Sequence, residues 1–290
     1  MRIGIIGAGL MGSSIAKNIQ NAGHAINVLE HSGNQSIKDL VQAGAMPHNS
    51  IRDVTLESDV VVICVTGTPE VEQCMLGESG ILETRKEGLL VVDCSTSMPN
   101  STRKLARLAQ DRNFSFIDAA MTGTTKTAKK GLIGLLVGAN HDQFNRALPL
   151  FNSFAKSILH VGKVGAGHEL KLLHNYVSLG WAAILGDAYA AAQSAGISPE
   201  IFVEVLEAGA GKGVMLDRLT PYLYHTDPSN FEFTINNSAK DLSYFLDTIT
   251  SQDGHTKLIG TLRELYKEAS RNGYGDKFVP ELAEHIKKIN

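Results

Sequence analysis

The chain is poor in cysteine and proline, carries little net charge, and has no apolar run long enough to cross a membrane. Its 290 residues hold three cysteines, Cys64, Cys74 and Cys94. They lack metal-ligand spacing and cannot all pair. A zinc module and a disulfide framework are excluded, no metal is required, and a reducing, cytoplasmic setting is expected. Eight prolines against 28 glycines argue against proline-rich disorder and suit many tight strand-to-helix turns. A formal charge of -3 leaves no basic excess for a nucleic-acid or anionic-membrane surface. Residues 172–186 contain no Asp, Glu, Lys or Arg, but 15 residues fall short of a membrane span, and His174, Asn175 and Ser178 interrupt them. Such a helix, apolar on nearly all sides, belongs in a core or a subunit interface. The opening, Met1-Arg2 and then an apolar run, imitates a secretory signal. Its glycines fall at strand-to-helix positions, so it is expected to be a domain's first strand.

The length suggests two domains, at roughly 100–200 residues per domain. Short apolar runs at residues 3–6, 25–29, 60–65, 89–92, 115–117, 132–137 and 157–160 alternate with helical patterns, one of them at residues 14–21. The run VVVICV at 60–65 is continuous, as in strands buried on both faces of a parallel sheet. This alternation predicts an α/β fold with a doubly wound parallel sheet. After Gly167 strands disappear and helical periodicity continues, with Gly196 and Pro199 ending one helix and opening the next. The turn residues of GKVGAG, 162–167, place the boundary between a domain at 1–162 and an all-helical one at 163–290.

Gly7-Ala8-Gly9-Leu10-Met11-Gly12 is a G-x-G-x-x-G that follows a strand and opens a helix. That context assigns the glycines separate tasks: the tight turn, close approach of a pyrophosphate, and close helix–strand packing. The open N–H groups of the helix start would bind the phosphates. Glu30 ends the second strand, about where an acid binds the ribose hydroxyls, and His31 and Ser32 follow it with no Arg. A carboxylate there repels a 2′-phosphate, so NAD is favoured over NADP.

A dinucleotide fold specifies a cofactor and not a reaction. Three segments could supply the rest. Asp93-Cys94-Ser95-Thr96 emerges at the carboxyl edge of the sheet. Thr122-Gly123-Thr124-Thr125 is a hydroxyl-rich loop suited to a carboxylate. From local pattern alone, ordinary Ser/Thr turn chemistry is the simpler account of both. In the third segment Lys171 and Asn175 are one helical turn apart, with His174 beside them. A lysine at the entrance of an uncharged helix is a candidate acid/base, although most lysines are surface groups.

The glycine motif, Asp93-x-Ser95-Thr96-x-x-Pro99, a loop ending in Gly131-Leu132, Gly165-x-Gly167-x-x-x-Lys171-x-x-x-Asn175, and Phe233 with Lys240-Asp241-Leu242 occur in this order. Together they resemble the β-hydroxyacid dehydrogenase family, the group of 3-hydroxyisobutyrate dehydrogenase and tartronate semialdehyde reductase. The resemblance covers nearly the whole chain. It implies a Rossmann-type domain, a long helix leading into a helical domain, NAD(P)-dependent interconversion of an alcohol and a carbonyl, a small anionic substrate, and a homodimer or homotetramer. It gives Lys171 the place of the catalytic acid/base and Asn175 that of its orienting partner. Ser95, Thr122, Gly123, Thr124 and His174 fall on the substrate side. Val65, Thr66, Thr96, Phe233 and Lys240 join the glycine loop, Glu30 and His31 on the cofactor side.

Several positions depart from the family pattern. Thr122 and Thr124 replace a Ser and a Gly, so the acid-binding loop is expected to be narrower and less free. Val65-Thr66 replaces a usual Leu-Pro pair. Lys171-x-x-His174-Asn175 is similar to 6-phosphogluconate dehydrogenases, an alternative set against the short chain and the lack of an evident phosphate-binding Arg group. A non-catalytic nucleotide-binding relative is the other alternative, and intact Lys171 and Asn175 argue against it. Imine reductases on a similar scaffold usually lack the lysine. Gly209-Ala210-Gly211-Lys212-Gly213 is not a phosphate loop, because no Ser or Thr follows the lysine.

Overall fold

Each apolar run named above becomes a strand in the computed structural model, which describes residues 1–289. The strands are β1 (Arg2–Ile6), β2 (Ala25–Leu29), β3 (Met46–His48), β4 (Val60–Ile63), β5 (Leu90–Asp93), β6 (Ser115–Thr122), β7 (Ile133–Gly138) and β8 (Ala155–Gly162). Between them lie α1 (Leu10–Asn21), α2 (Lys38–Gln42), α3 (Ile51–Leu56), α4 (Thr68–Leu76), α5 (Pro99–Gln110), α6 (Thr125–Lys129) and α7 (His141–Phe151). The sheet order is β3-β2-β1-β4-β5-β6-β7-β8. All neighbours are parallel except β6 and β7, so β7 and β8 run against the other six strands, a reversal absent from the sequence reading. β3 was not anticipated either, being three residues long with Pro47 at its centre.

The continuous strands are buried on both faces. Ile3, Ile5, Val60, Val62, Leu90 and Val92 pack with Ile15 and Ile19 of α1 in one core. Ile6, Val61, Ile63 and Val91 pack with Val71 and Met75 of α4 and Leu105 of α5 in another. Strand order reverses between β1 and β4, and the loops leaving their carboxyl ends flank the point where ligands bind in open α/β sheets.

The remaining helices are α8 (Ala166–Ser194), α9 (Pro199–Ala208), α10 (Val214–His225), α11 (Ile235–Thr250), α12 (Lys257–Ala269) and α13 (Leu282–Ile289). By internal packing the chain divides into two compact units, residues 1–171 and 172–290. The second has its own core, built on Leu179 of α8, Leu216 and Leu219 of α10, Leu242 of α11, Tyr266 of α12 and Ile286 of α13. Gly196 adopts positive φ after α8, and the Ser198 hydroxyl caps α9 by accepting the Ile201 N–H. The uncharged stretch 172–186 is two-sided: Leu179, Ala182, Ala183 and Leu185 face this core, while Val177 and Ile184 are each 64% exposed. Among the described residues, no helix is long and apolar enough to cross a membrane.

Candidate active site

The three glycines of the first loop meet three different constraints. Gly7 has φ +94°, and a Cβ there would overlap the Cys64 carbonyl at the end of β4. A Cβ on Gly12 would overlap the Gly7 carbonyl, so α1 approaches the β1 turn as closely as a bare backbone permits. A Cβ on Gly9 would meet no protein atom, leaving open space above the start of α1. That helix start has no side-chain cap and no acid in its first turn. Open space, uncapped N–H groups and the positive end of the helix dipole fit a dinucleotide pyrophosphate. Leu10 is exposed and Met11 half-buried beside it, and Ala8 is buried. The Ala8 N–H is already used, donating to Asn34 Oδ1 at 3.0 Å, while Asn34 Nδ2 donates to the Leu29 carbonyl at 2.7 Å. Asn34 therefore ties the glycine loop to the end of β2, a role the sequence reading missed. Glu30 and His31 follow β2 directly and are exposed, and His31 Nδ1 accepts the Gly33 N–H.

The loops after β4 and β5 are tied together. Ser95 is 4% exposed, and its Oγ accepts the Val65 N–H at 3.0 Å. Its own N–H donates to Asp93 Oδ1 at 2.9 Å. Thr66 is exposed and Thr96 half-buried at the same edge. Beyond β6, Gly123 has φ +123°, and Thr124 caps α6 in a reciprocal pair with Thr127. Thr124 itself has φ -126° and ψ 169°, extended backbone that any residue adopts. The restriction expected from replacing a glycine at Thr124 therefore does not arise, and the added hydroxyl serves the cap. Thr122 closes β6 and pairs with Gly134.

The helix that carries Lys171 starts on a buried acid. Asp118, within β6, is fully buried and accepts the N–H groups of Gly165 at 2.6 Å and His168 at 2.8 Å. Burial pushes its carboxyl above the ordinary range, opposed by His168 and by these N–H bonds. Gly138 and Gly167 sit against Asp118 where a Cβ would collide. The sequence signal was one charged residue inside an apolar strand, SFIDAAMT. Lys171 follows on α8, half-buried.

In the helical unit, Asn175 is 6% exposed and held from two sides. Its Nδ2 donates to Asp241 Oδ2 at 2.6 Å, and its Oδ1 lies 3.0 Å from Nδ1 of the exposed His174. Lys240 pairs with Asp241 Oδ1 at 2.9 Å and lies over the Tyr244 ring. Phe233 is half-buried and stacks on Phe231. Asp241, which received no role of its own from sequence, thus joins Asn175 to Lys240. The glycine turn at 209–213 is packed: a Cβ on Gly213 would enter the Trp181 ring.

No cysteine is poised as a nucleophile. Burial, followed by the nearby Asp93 charge, pushes the Cys64 and Cys74 thiols up to about 12, and Cys94 is also raised. Native protein at pH 8 is expected to react with an aromatic disulfide reagent orders of magnitude more slowly than urea-unfolded protein. Stopped-flow absorbance measures this directly, and burst labelling of the native chain would contradict it.

A doubly wound sheet with an open glycine loop at its switch point, followed by a helical unit, defines a dinucleotide-binding protein. Residues 2–162 match the family described as the NAD binding domain of 6-phosphogluconate dehydrogenase. Residues 165–285 match that described as NAD-binding of NADP-dependent 3-hydroxyisobutyrate dehydrogenase. The chain belongs to the β-hydroxyacid dehydrogenase family. It is 28% identical over 282 residues to the NAD-dependent L-serine dehydrogenase of Pseudomonas aeruginosa, covering 95% of this chain and 94% of that one. It is also 28% identical over 274 residues to the 2-hydroxy-3-oxopropionate reductase of Escherichia coli, covering 94% and 92%. Its fold is similar to a 3-hydroxyisobutyrate dehydrogenase crystal structure from Salmonella typhimurium, with TM-score 0.86, 23% identity and coverage of 98% and 99%.

Proposed function

We propose that the protein is an NAD-dependent dehydrogenase or reductase for a small β-hydroxy acid or its semialdehyde, with Lys171 as general acid and base. The observation that carries this reading is Asn175, a buried amide fixed by Asp241 and His174 one turn beyond Lys171 on α8. NAD, when bound, supplies or accepts the hydride. Gly7, Ala8, Gly9, Leu10, Met11 and Gly12 would hold its pyrophosphate, Glu30 and His31 its adenosine ribose, and Val65, Thr66, Thr96, Phe233 and Lys240 its remaining length. Lys171 gives a proton to the carbonyl oxygen in reduction and takes the hydroxyl proton in oxidation. Thr122, Gly123 and Thr124 hold the substrate's carboxylate, and Ser95 and His174 complete the substrate side. Residues 1–162 form the cofactor domain and 163–290 the substrate domain.

The relatives named above point to L-serine and 2-hydroxy-3-oxopropionate (tartronate semialdehyde) as compounds to try first, and a wider panel tests the class. Purified protein is offered NADH with tartronate, methylmalonate and succinic semialdehydes, sulfolactaldehyde and a cyclic imine, and NAD with L-serine. Turnover of an acid-bearing aldehyde or its alcohol supports the reading. NADH binding with no turnover of any of them returns the chain to the binding-protein class.

Glu30 is the basis for NAD over NADP. NADH is expected to bind at least tenfold more tightly than NADPH by fluorescence titration, and Glu30→Ala should narrow the gap. A tenfold preference for NADPH would remove this basis. The exposed Val177 and Ile184 suit a homodimer or homotetramer interface, so light scattering should give at least twice the chain mass and Val177→Asp should lower it. A reducing cytoplasm suits three unpaired thiols.

A further inference from the structure

Two carboxylates stand side by side where the parallel strands end. Asp93 of β5 and Asp118 of β6 are register partners on adjacent strands, and both are fully buried. Asp118 spends its two oxygens on backbone N–H groups at the start of α8. Asp93 accepts the Ser95 N–H on Oδ1 and the Ser97 hydroxyl, at 3.1 Å, on Oδ2. That Oδ2 also lies 3.8 Å from His168 Nε2. His168 is fully buried, its Nδ1 lies 2.7 Å from Thr102 Oγ1 on α5, and its Nε2 has no hydrogen-bond partner among the described residues.

A buried imidazole ordinarily satisfies both nitrogens, and the neutral ring offers one donor and one acceptor. An acceptor at Nε2 would set a lone pair against the Asp93 carboxylate. A donor there sets N–H towards it, leaving Nδ1 to accept the Thr102 hydroxyl. Thr102 Oγ1 carries one proton and lies 2.7 Å from Nδ1 and 3.2 Å from the Met98 carbonyl, so giving that proton to Nδ1 leaves the longer contact to Met98 without it. The ring therefore spans three elements, the end of β5, α5 and the first turn of α8. Lys171 is one turn further along α8 than His168.

We infer that His168 is a positioning residue, an Nε2–H imidazole that couples Asp93 and the loop bearing Ser95 and Thr96 to the helix bearing Lys171. It fixes the height of the lysine relative to that loop without touching substrate. The inference rests on the proposed role of Lys171. Leucine at 168 would fill much of the volume and make neither polar contact. Glutamine keeps a donor and an acceptor.

The test uses the full chain with His168→Leu, His168→Gln and Lys171→Ala, the best substrate from the panel, and histidine ring ¹⁵N spectra of the wild type. The His168 signal is identified by its loss in His168→Gln. The expected spectrum is that of a ring protonated at Nε2 and bare at Nδ1. His168→Leu should lower kcat at least tenfold with the substrate KM and NADH affinity kept within twofold, and His168→Gln should recover much of the loss. A ring protonated only at Nδ1 overturns the inference, as does full kcat in His168→Leu with only a lower melting midpoint. An inactive Lys171→Ala beside a fully active His168→Leu defeats this inference alone. A fully active Lys171→Ala defeats the lysine assignment and this inference with it. If His168→Leu fails to fold, the wild-type spectrum and the kinetics of His168→Gln decide.

Discussion

Lys171→Ala is expected to lower turnover by ~10²–10⁴-fold, the usual worth of a positioned general acid or base. That corresponds to roughly 3–5 kcal/mol of transition-state stabilisation. NADH binding should survive, because the glycine loop lies on β1 and α1, apart in sequence from α8. Fluorescence titration and steady-state kinetics on the same preparation separate the two effects. Lys171→Arg sharpens the test. It keeps a positive charge, but a guanidinium does not give up its proton at working pH. An inactive arginine variant identifies proton transfer as the lost property, whereas an active one would reassign the lysine to charge alone.

Asp118→Ala should be strongly destabilising. It strips the Gly165 and His168 N–H groups of their buried acceptor. At about 1–3 kcal/mol for each unsatisfied group, the loss is about 2–6 kcal/mol, read as a shift in the urea midpoint. Asp118→Asn should fall between, since its amide has only one oxygen to offer. The pH dependence follows from the raised carboxyl. A group with its folded pKa above the unfolded value contributes stability that is complete below the unfolded value and is lost as pH rises through the folded one. The margin of wild type over Asp118→Asn should therefore narrow as pH rises above about 4. A margin that widens would mean that the N–H bonds outweigh burial at this carboxyl.

Much of the sheet was legible because residues such as Val60, Val61, Val62 and Ile63 must be apolar when both faces are covered. The glycine loop was legible because its spacing between a strand and a helix is local, with Gly12 packed on the Gly7 carbonyl and Gly9 facing open space, although the Cys64 carbonyl that crowds Gly7 comes from the end of β4. β3 was not legible: three residues around a proline carry no periodicity. The reach of β6 to Thr122 was hidden as well, because its outer half is small and owes its pairing to β7. In the candidate site, the one-turn spacing of Lys171 and Asn175 is visible along one helix, but their proposed roles come from the family resemblance and not from that spacing. Asp118, His168 and Asp241 could not be read, because their partners lie 47 to 66 residues away and meet them only through strand register and helix packing. Thr124 shows the opposite error, a family difference that looked restrictive and lands on ordinary extended backbone.

The reversal between β6 and β7 works as a measure of length. β6 climbs from Asp118, level with the end of β5, to Thr122, and β7 descends until Gly138 stands opposite Asp118. β8 runs alongside and ends with Gly162 opposite Gly138, so the chain is returned to the same level just before α8 begins. Ascent and descent match residue for residue between β6 and β7, whereas β8 takes up two extra residues in register shifts near the two ends of its pairing with β7 and still brings Gly162 opposite Gly138. Residues added to the exposed turn at Lys129 and Lys130 change neither strand. Along this stretch what is kept is the level at which the chain returns, since β8 reaches it with two residues more than β7 uses.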